Sequence, residues 1–232
     1  MILADITQDL YLNFIKEDRY LWLLDGLKTT LLITFFAAIL GIILGFIVAI
    51  IRSTHDKSGH FKILNAVCRV YLTVIRGTPT MIQLLIMNFV IFGSVSLDKV
   101  IVGSLAFGIN SGAYVAEIVR SGIMSIDPGQ TEAGRSLGLN FTQTMKLIIM
   151  PQAFKNVLPA LVNEFIVLLK ETSIIGYIGM MDLTKGAMLI QSRTYNAFLP
   201  LIAAALIYLA LVMFLTFLMN KIERRLRTSE RK

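Results

Sequence analysis

Apolar residues in this chain run in long blocks, not in the short alternations of strands or the narrow stripes of surface helices. A membrane crossing needs about twenty mostly apolar residues to traverse a hydrocarbon core roughly 30 Å thick. Two stretches, Thr29–Ile51 and Ala197–Met219, meet that length without a charge, and Val100–Val119 carries only Glu117, near its end. Ile63–Phe92 is long but holds Arg69 and Arg76, and Leu147–Leu169 contains Lys155, Glu164 and prolines at 151 and 159. Both count as spans, because otherwise long apolar segments have no place in water. The pattern predicts an all-α integral membrane protein with five transmembrane helices. Residues 1–28 precede the membrane domain at 29–219, and 220–232 form a basic tail.

Five spans put the termini on opposite sides, and the excess of Lys and Arg in cytoplasmic loops says which is which. The tail carries Lys221, Arg224, Arg225, Arg227, Arg231 and Lys232, so the C-terminus is expected inside. The same side receives the loop with Arg52, Lys57 and Lys62 and the loop with Arg120, Arg135 and Lys146. Asp5, Asp9, Glu17 and Asp18 outnumber Lys16 and Arg19 in the first segment, which is expected outside. No short basic region precedes a short apolar run with a cleavage site, so the first span is expected to remain in the mature protein. Residues 173–192 fall outside between the last two spans and are expected to form a short helix resting on the outer surface.

Composition narrows the class. Apolar residues make up 56% and charged residues 16% of the 232, against roughly a quarter charged in ordinary globular chains. That argues against disorder and, despite a net charge of +7, against a nucleic-acid binder. One cysteine, Cys68, and two histidines, His55 and His60, leave no disulfide framework and no metal cluster. Small residues recur every four positions in the first span (Ala37, Gly41, Gly45, Ala49) and in the third (Ser104, Gly108, Gly112, Ala116). Such stripes permit close helix approach, either within one chain or across a dimer.

The loop between the third and fourth spans is the informative polar segment. It reads Asp127-Pro-Gly-Gln-Thr-Glu-Ala-Gly-Arg-Ser-Leu-Gly138. Asp127 suits an N-cap, Pro128 the first helical position, Gln130 the reciprocal place of a capping box, and Gly138 the stop. A second start follows, with Asn140 as cap and Gln143 three residues on. A helix of about ten residues, roughly 15 Å long, is not stable alone. It packs either on its own domain's inner surface or in the groove of a cytoplasmic partner. The spacing Gly129-x-x-x-x-Gly134-Arg135-Ser136 comes close to a phosphate-binding loop, but lysine is missing and no buried strand precedes it. ATP binding through this loop is excluded.

Glu132-Ala133-Gly134, then Gly138, then Ile148-Ile149-Met150-Pro151 resembles the EAA loop of ABC importer permeases, with Gly134 and Met150 as mild departures. Arg76-Gly77-Thr78-Pro79, the run Ala113-Tyr114-Val115-Ala116-Glu117-Ile118-Val119-Arg120, and Leu169-Lys170-Glu171-Thr172-Ser173 resemble the polar amino acid subfamily. The resemblance covers roughly residues 20 to 220. It implies a type I importer permease with a MetI-like core of five helices, in the bacterial cytoplasmic membrane. It also implies a second permease subunit, as homodimer or close heterodimer, two copies of an ABC ATPase, and an extracytoplasmic amino-acid-binding protein. On that resemblance the chain is no enzyme and holds no cofactor itself, with ATP and Mg on the ATPase. Asp127, Gln130, Glu132, Ala133, Gly134, Arg135, Leu137 and Gly138 then make up the coupling helix.

Ionisable residues within spans are costly and are functional candidates by default. Arg76 precedes Gly77-Thr78-Pro79, where Pro79 and its effect on Thr78 predict a helix break. Arg76 either faces the translocation path or braces the freed carbonyls. Glu117 and Arg120, three apart, are placed to pair on one helix. Glu164 lies about two turns inside the fourth span beside Asn163, with no cation three or four residues away. It needs a partner on another helix, a proton, water or a cationic substrate. Asn110, Ser111 and Tyr114 give the third span a polar patch, and Gln83 adds an amide on the second. Arg76, Thr78, Gln83, Asn110, Ser111, Tyr114, Asn163 and Glu164 are therefore the substrate-path candidates. The competing reading is a self-sufficient carrier driven by an ion gradient. Five spans, no internal repeat and a capped cytoplasmic helix weigh against it. A membrane enzyme would need a nucleophile–base pair or a metal cluster, and the sequence shows neither.

Overall fold

The computed structural model describes residues 7–228, and every regular element among them is helical. The long elements are α1 (Tyr20–Ser58), α2 (Lys62–Gly77), α3 (Thr80–Ile86), α4 (Lys99–Met124), α5 (Pro128–Ser136), α6 (Phe141–Thr144), α7 (Met150–Glu171), α8 (Leu183–Thr194) and α9 (Phe198–Thr228). Wide π turns at Tyr11–Ile15, Met87–Ile91 and Met145–Ile149, and 3₁₀ segments at Lys16–Asp18 and Thr172–Ile178, complete the set. Asp5, Arg231 and Lys232, which entered the charge-asymmetry argument, lie outside the described residues.

Residues 20–56, 99–124 and 198–223 are each long and apolar enough to cross a membrane. Lys62–Gly77 and Thr80–Ile91 pass the same test only as a pair interrupted at Thr78–Pro79, which is either a broken span or a re-entrant loop. α7, 22 residues long and about 33 Å at 1.5 Å per residue, is not among them, so by length and composition the described residues hold three spans, or four with the broken pair, against the five expected. The predicted break stands where Pro79 puts it. Thr78 is extended, with φ −125° and ψ 148°.

The helices divide between two compact units. One comprises the chain through Ala37, Thr80–Phe107 and Ile166–Phe217. Its core joins Leu23 of α1, Leu183, Ala187 and Ile190 of α8, and Ala204 of α9. Gly186 lets α8 pass against the backbone of Trp22, and a Cβ there would fall within 2.5 Å of the Trp22 carbonyl oxygen. The segment expected to rest on the surface is therefore built into the core. Ile175, Leu183, Ala187 and Ile190 are fully buried, because a polar-looking stretch at i, i+4, i+7 spacing hides one apolar face. Asp182 caps α8 from full burial, accepting from the amides of Thr184 at 3.0 Å and Lys185 at 3.1 Å. Burial pushes its carboxyl above the usual aspartate value, against the pull of those hydrogen bonds.

The other unit comprises Ala38–Pro79, Gly108–Phe165 and the chain from Leu218. Here the small-residue stripes face each other. A Cβ on Gly41 would sit 3.1 Å from Ser111, and one on Gly112 would sit 3.1 Å from Leu44 and 2.9 Å from the Tyr71 hydroxyl. The stripes thus serve packing of α1 on α4 inside one chain. Ala49 joins Val115, Val119, Ile123, Ile149 and Ala153 in one buried cluster, while Val48 meets Cys68, Leu72, Ala113 and Ala116 of α2 and α4 in another. Tyr71 ties α2 to α4 by donating to the Ile109 carbonyl at 2.6 Å.

Candidate substrate path and coupling helix

The second unit carries the polar groups that chemistry can use. Ser111 of α4, buried, donates to Glu164 Oε1 of α7 at 2.8 Å. That is the inter-helix partner the isolated carboxylate required. Asn110 beside it is also buried. Asn163 faces outward and does not join them, since its neighbour Glu164 occupies the inward side of the turn. Gln83 belongs to α3 of the first unit and is half-buried there.

One turn along α4 from Ser111, Tyr114 lies under the Arg76 guanidinium, 5.6 Å from the ring centroid. One turn further, Glu117 gathers two arginines. Arg52 Nη1 of α1 lies 2.5 Å from Glu117 Oε1, and Arg76 Nη1 of α2 lies 3.8 Å from the same atom. Next, Arg120 donates twice to Asp56 of α1, at 2.8 and 3.2 Å. The expected pairing of Glu117 with Arg120 is therefore wrong. Each reaches across to α1, because Arg52 and Asp56, four residues apart, offer complementary charges at the matching height. That reversed pattern, plus–minus on α1 against minus–plus on α4, was legible as spacing but only helix packing gave it meaning.

Arg76 lines a cavity of about 580 Å³ together with Arg52, Arg69, Thr73, Tyr114 and Glu117. The break at Thr78 is braced by a different group. The Thr78 hydroxyl donates to the Val74 carbonyl at 2.8 Å, leaving Arg76, 44% exposed in its side chain, directed to the cavity. Of the two roles open for Arg76, the geometry favours the path. Among the described residues no group of His, Cys, Asp and Glu is placed to hold a metal.

The helix after α4 forms much as its punctuation dictates. α5 spans nine residues, and Asp127 caps it by accepting from the Gly129 amide at 2.6 Å. The expected capping box at Gln130 does not form. The Gln130 amide oxygen instead accepts from Gln152 at 3.4 Å. The box forms one helix later, where Asn140 and Gln143 exchange side chain–backbone bonds at 2.9 Å each way. At the other end Gly138 adopts φ +79°, and the amides of Leu139 and Gly138 close back on Gly134 and Arg135 in a Schellman turn. Gly129 and Gly134 lie inside this helix, so the phosphate-loop spacing describes no loop. Gly134 is the buried contact: a Cβ there would lie 2.7 Å from the Thr144 methyl. The helix therefore lies on its own domain along one face only. Asp127, Gln130, Glu132, Ala133, Arg135 and Leu137 are exposed, Leu137 by 78%. Beside them opens a cavity of about 340 Å³ between Ile123, Ile126, Phe141 and Ile149, edged by Glu132 and Arg135.

Apolar helices around polar inward-facing groups, with a short exposed helix on a cytoplasmic-type loop, define a multi-pass membrane permease. The chain belongs to the family described as the binding-protein-dependent transport system inner membrane component, which matches residues 39–228. It is an ABC importer permease subunit of the inner membrane, and such a permease works with an ATPase and a binding protein; the ATPase is a separate subunit. It is 40% identical over 211 residues to the arginine transport system permease protein ArtQ of Bacillus subtilis, covering 90% of this chain and 94% of that one. It is 38% identical over 210 residues to a putative glutamine transport system permease protein, GlnP, of Rickettsia typhi, with the same coverage. A crystal structure of an amino acid ABC transporter with histidines superposes with a TM-score of 0.83 at 42% identity, over 91% of this chain and 98% of that one.

Proposed function

We propose that this chain is the membrane-spanning subunit of an ATP-driven importer of polar amino acids, with α5 as the element that docks the ATPase. The observation that carries the reading is the exposure of α5. It is capped at both ends, fixed through Gly134, and presents Glu132, Arg135 and Leu137 outward. A nine-residue helix held on one face only is suited to a partner's groove. Relatives named for arginine and glutamine support the substrate class. Two ATPase copies, carrying ATP and Mg, and a second permease subunit complete the assembly. The basic loops support a cytoplasmic C-terminus and an outer N-terminus.

In the path, Glu164 held by Ser111 and Arg76 stacked on Tyr114 offer an anion and a cation along one face of α4. These are the groups that meet a zwitterionic cargo, with Thr78 shaping the break next to them. A self-sufficient carrier would have no use for the exposed α5. The test is coupling. Glu132→Lys or Gly138→Leu should abolish substrate-stimulated ATP hydrolysis by the assembled transporter while membrane insertion is retained. Full coupling in such variants would rule out docking through α5.

A further inference from the structure

Within the first unit, at the mouth of the last span, lies a second polar cavity, lined by none of the residues assigned to the path. It measures about 520 Å³ and is lined by the N-terminal segment and the turn between α8 and α9. Three cations from two stretches line it, Lys16 and Arg19 from one and Arg193 from the other, against one carboxylate, Asp9. Arg19 is buried. Its two terminal nitrogens are engaged by the Leu12 carbonyl at 2.7 Å and by Glu17 at 3.0 Å, but its Nε is buried without a partner. Asn13, 1% exposed, donates to the Asp9 carbonyl at 2.8 Å and leaves its Oδ1 equally unmatched. Both unmet atoms are closed to solvent, so the groups the cavity offers a ligand are the exposed Lys16, Arg193 and Asp9.

The surroundings say what kind of ligand. The uncharged run of α9 begins at Phe198, which itself lines the cavity, so the opening lies where the apolar layer starts. Phe198 is 71% exposed, Tyr195 95%, and Ile15 and Tyr20 are exposed as well. Aromatic and aliphatic side chains beside basic groups at a span's end are the pattern of the membrane interface. Only 6% of the α9 apolar window is covered within the chain, leaving a continuous apolar surface running away from the cavity. Tyr195 holds that rim position with a left-handed backbone, φ 56°, which a bulky residue adopts only under constraint.

We propose that this cavity holds the headgroup of a membrane phospholipid. Its phosphate accepts from Lys16 and Arg193, and its hydroxyl or ammonium donates to the Asp9 carboxylate. The acyl chains lie along the exposed face of α9. Guanidinium and ammonium groups at an interface match a phosphodiester in charge and geometry. The acidic surface of a protein partner would match the cations but not the apolar rim.

The experiment uses the assembled permease–ATPase complex, purified and delipidated. Phosphatidylglycerol and phosphatidylethanolamine are added separately, beside diacylglycerol, which lacks the phosphate, and inorganic phosphate, which lacks the chains. Bound lipid is counted by native mass spectrometry, and the thermal midpoint is followed in parallel. The phospholipids should be retained and should raise the midpoint, while diacylglycerol and inorganic phosphate should do neither. Arg193→Gln and Lys16→Gln should each weaken retention about tenfold, the loss of one charge-assisted hydrogen bond, without moving the lipid-free midpoint. Arg193→Lys should keep most of it. Retention unchanged in both Gln variants would overturn the proposal, as would equal retention of diacylglycerol or equal stabilisation by inorganic phosphate. So would a loss of binding-protein association in Arg193→Gln with lipid retention intact.

Discussion

Removing the carboxylate of Glu117 should expose the difference between charges that are neighbours in sequence and charges that are neighbours in space. Glu117 is bonded to Arg52 at 2.5 Å, and the two side chains keep only 29% and 15% of their exposure. Ion pairs in water contribute about 0.2–1 kcal/mol, whereas breaking a buried one costs about 3–5 kcal/mol, since a charge is stranded. A pair this far desolvated lies between, so Glu117→Ala should cost about 2 kcal/mol. Arg52 Nε, already buried without a partner, makes stranding worse. The measurement is a double-mutant cycle by denaturant unfolding of the complex in a fixed detergent. Glu117 and Arg52 should show a coupling of about 1–2 kcal/mol. Glu117 and Arg120, three apart on one helix, should show no more than about 0.3 kcal/mol, the value for an exposed helical pair. Exchanging the charges, Arg52→Glu with Glu117→Arg, should restore stability only in part, because Arg76 stands 3.8 Å from the exchanged position and repels a new guanidinium. Equal couplings for the two pairs would refute the inter-helix assignment.

Replacing Glu164 with Gln keeps the acceptor for Ser111 but removes the charge, so arginine transport should fall more than glutamine transport at matched binding-protein saturation; equal losses, or none, would leave charge matching without support. Asp182→Ala removes the cap of α8 and should cost about 1 kcal/mol in acid and less as pH rises, whereas Asp182→Asn keeps the cap. Burial raises the native value of Asp182 above 3.8, so the wild type is favoured while the carboxyl is protonated and loses stability as pH rises from about 4 through the raised native value. The Asn variant should match the wild type in acid and exceed it at neutral pH, as read from unfolding midpoints across that range; a constant offset would mean that burial does not govern this group.

The helical membrane class and the separate short helix at Pro128–Ser136 follow from the sequence alone. Long uncharged runs such as Ala197–Met219 have one stable form in lipid, where every backbone group must be satisfied within its own helix. Local chemistry was equally legible. The Asp127 cap, the Gly138 stop and the break before Pro79 depend on one residue and its immediate neighbours, so each could be placed without knowing what it packs on. Gln130 shows the limit of that logic, because a side chain from another helix, Gln152, competed for its amide and won.

Partners across helices needed the fold. Glu164 was recognisable as a carboxylate lacking a local cation, but its bond to Ser111 depends on how α4 meets α7, a contact 53 residues apart in sequence. The charge ladder of Arg52, Asp56, Glu117 and Arg120 could be resolved within one helix or between two. The glycines at 41 and 112 bring α1 and α4 close enough for the second. The segment 173–192 looked like a surface helix because its polar residues are plain to read and its buried face is not. Whether a helix face meets lipid, water or protein is a property of the neighbours, and the chain alone does not name them.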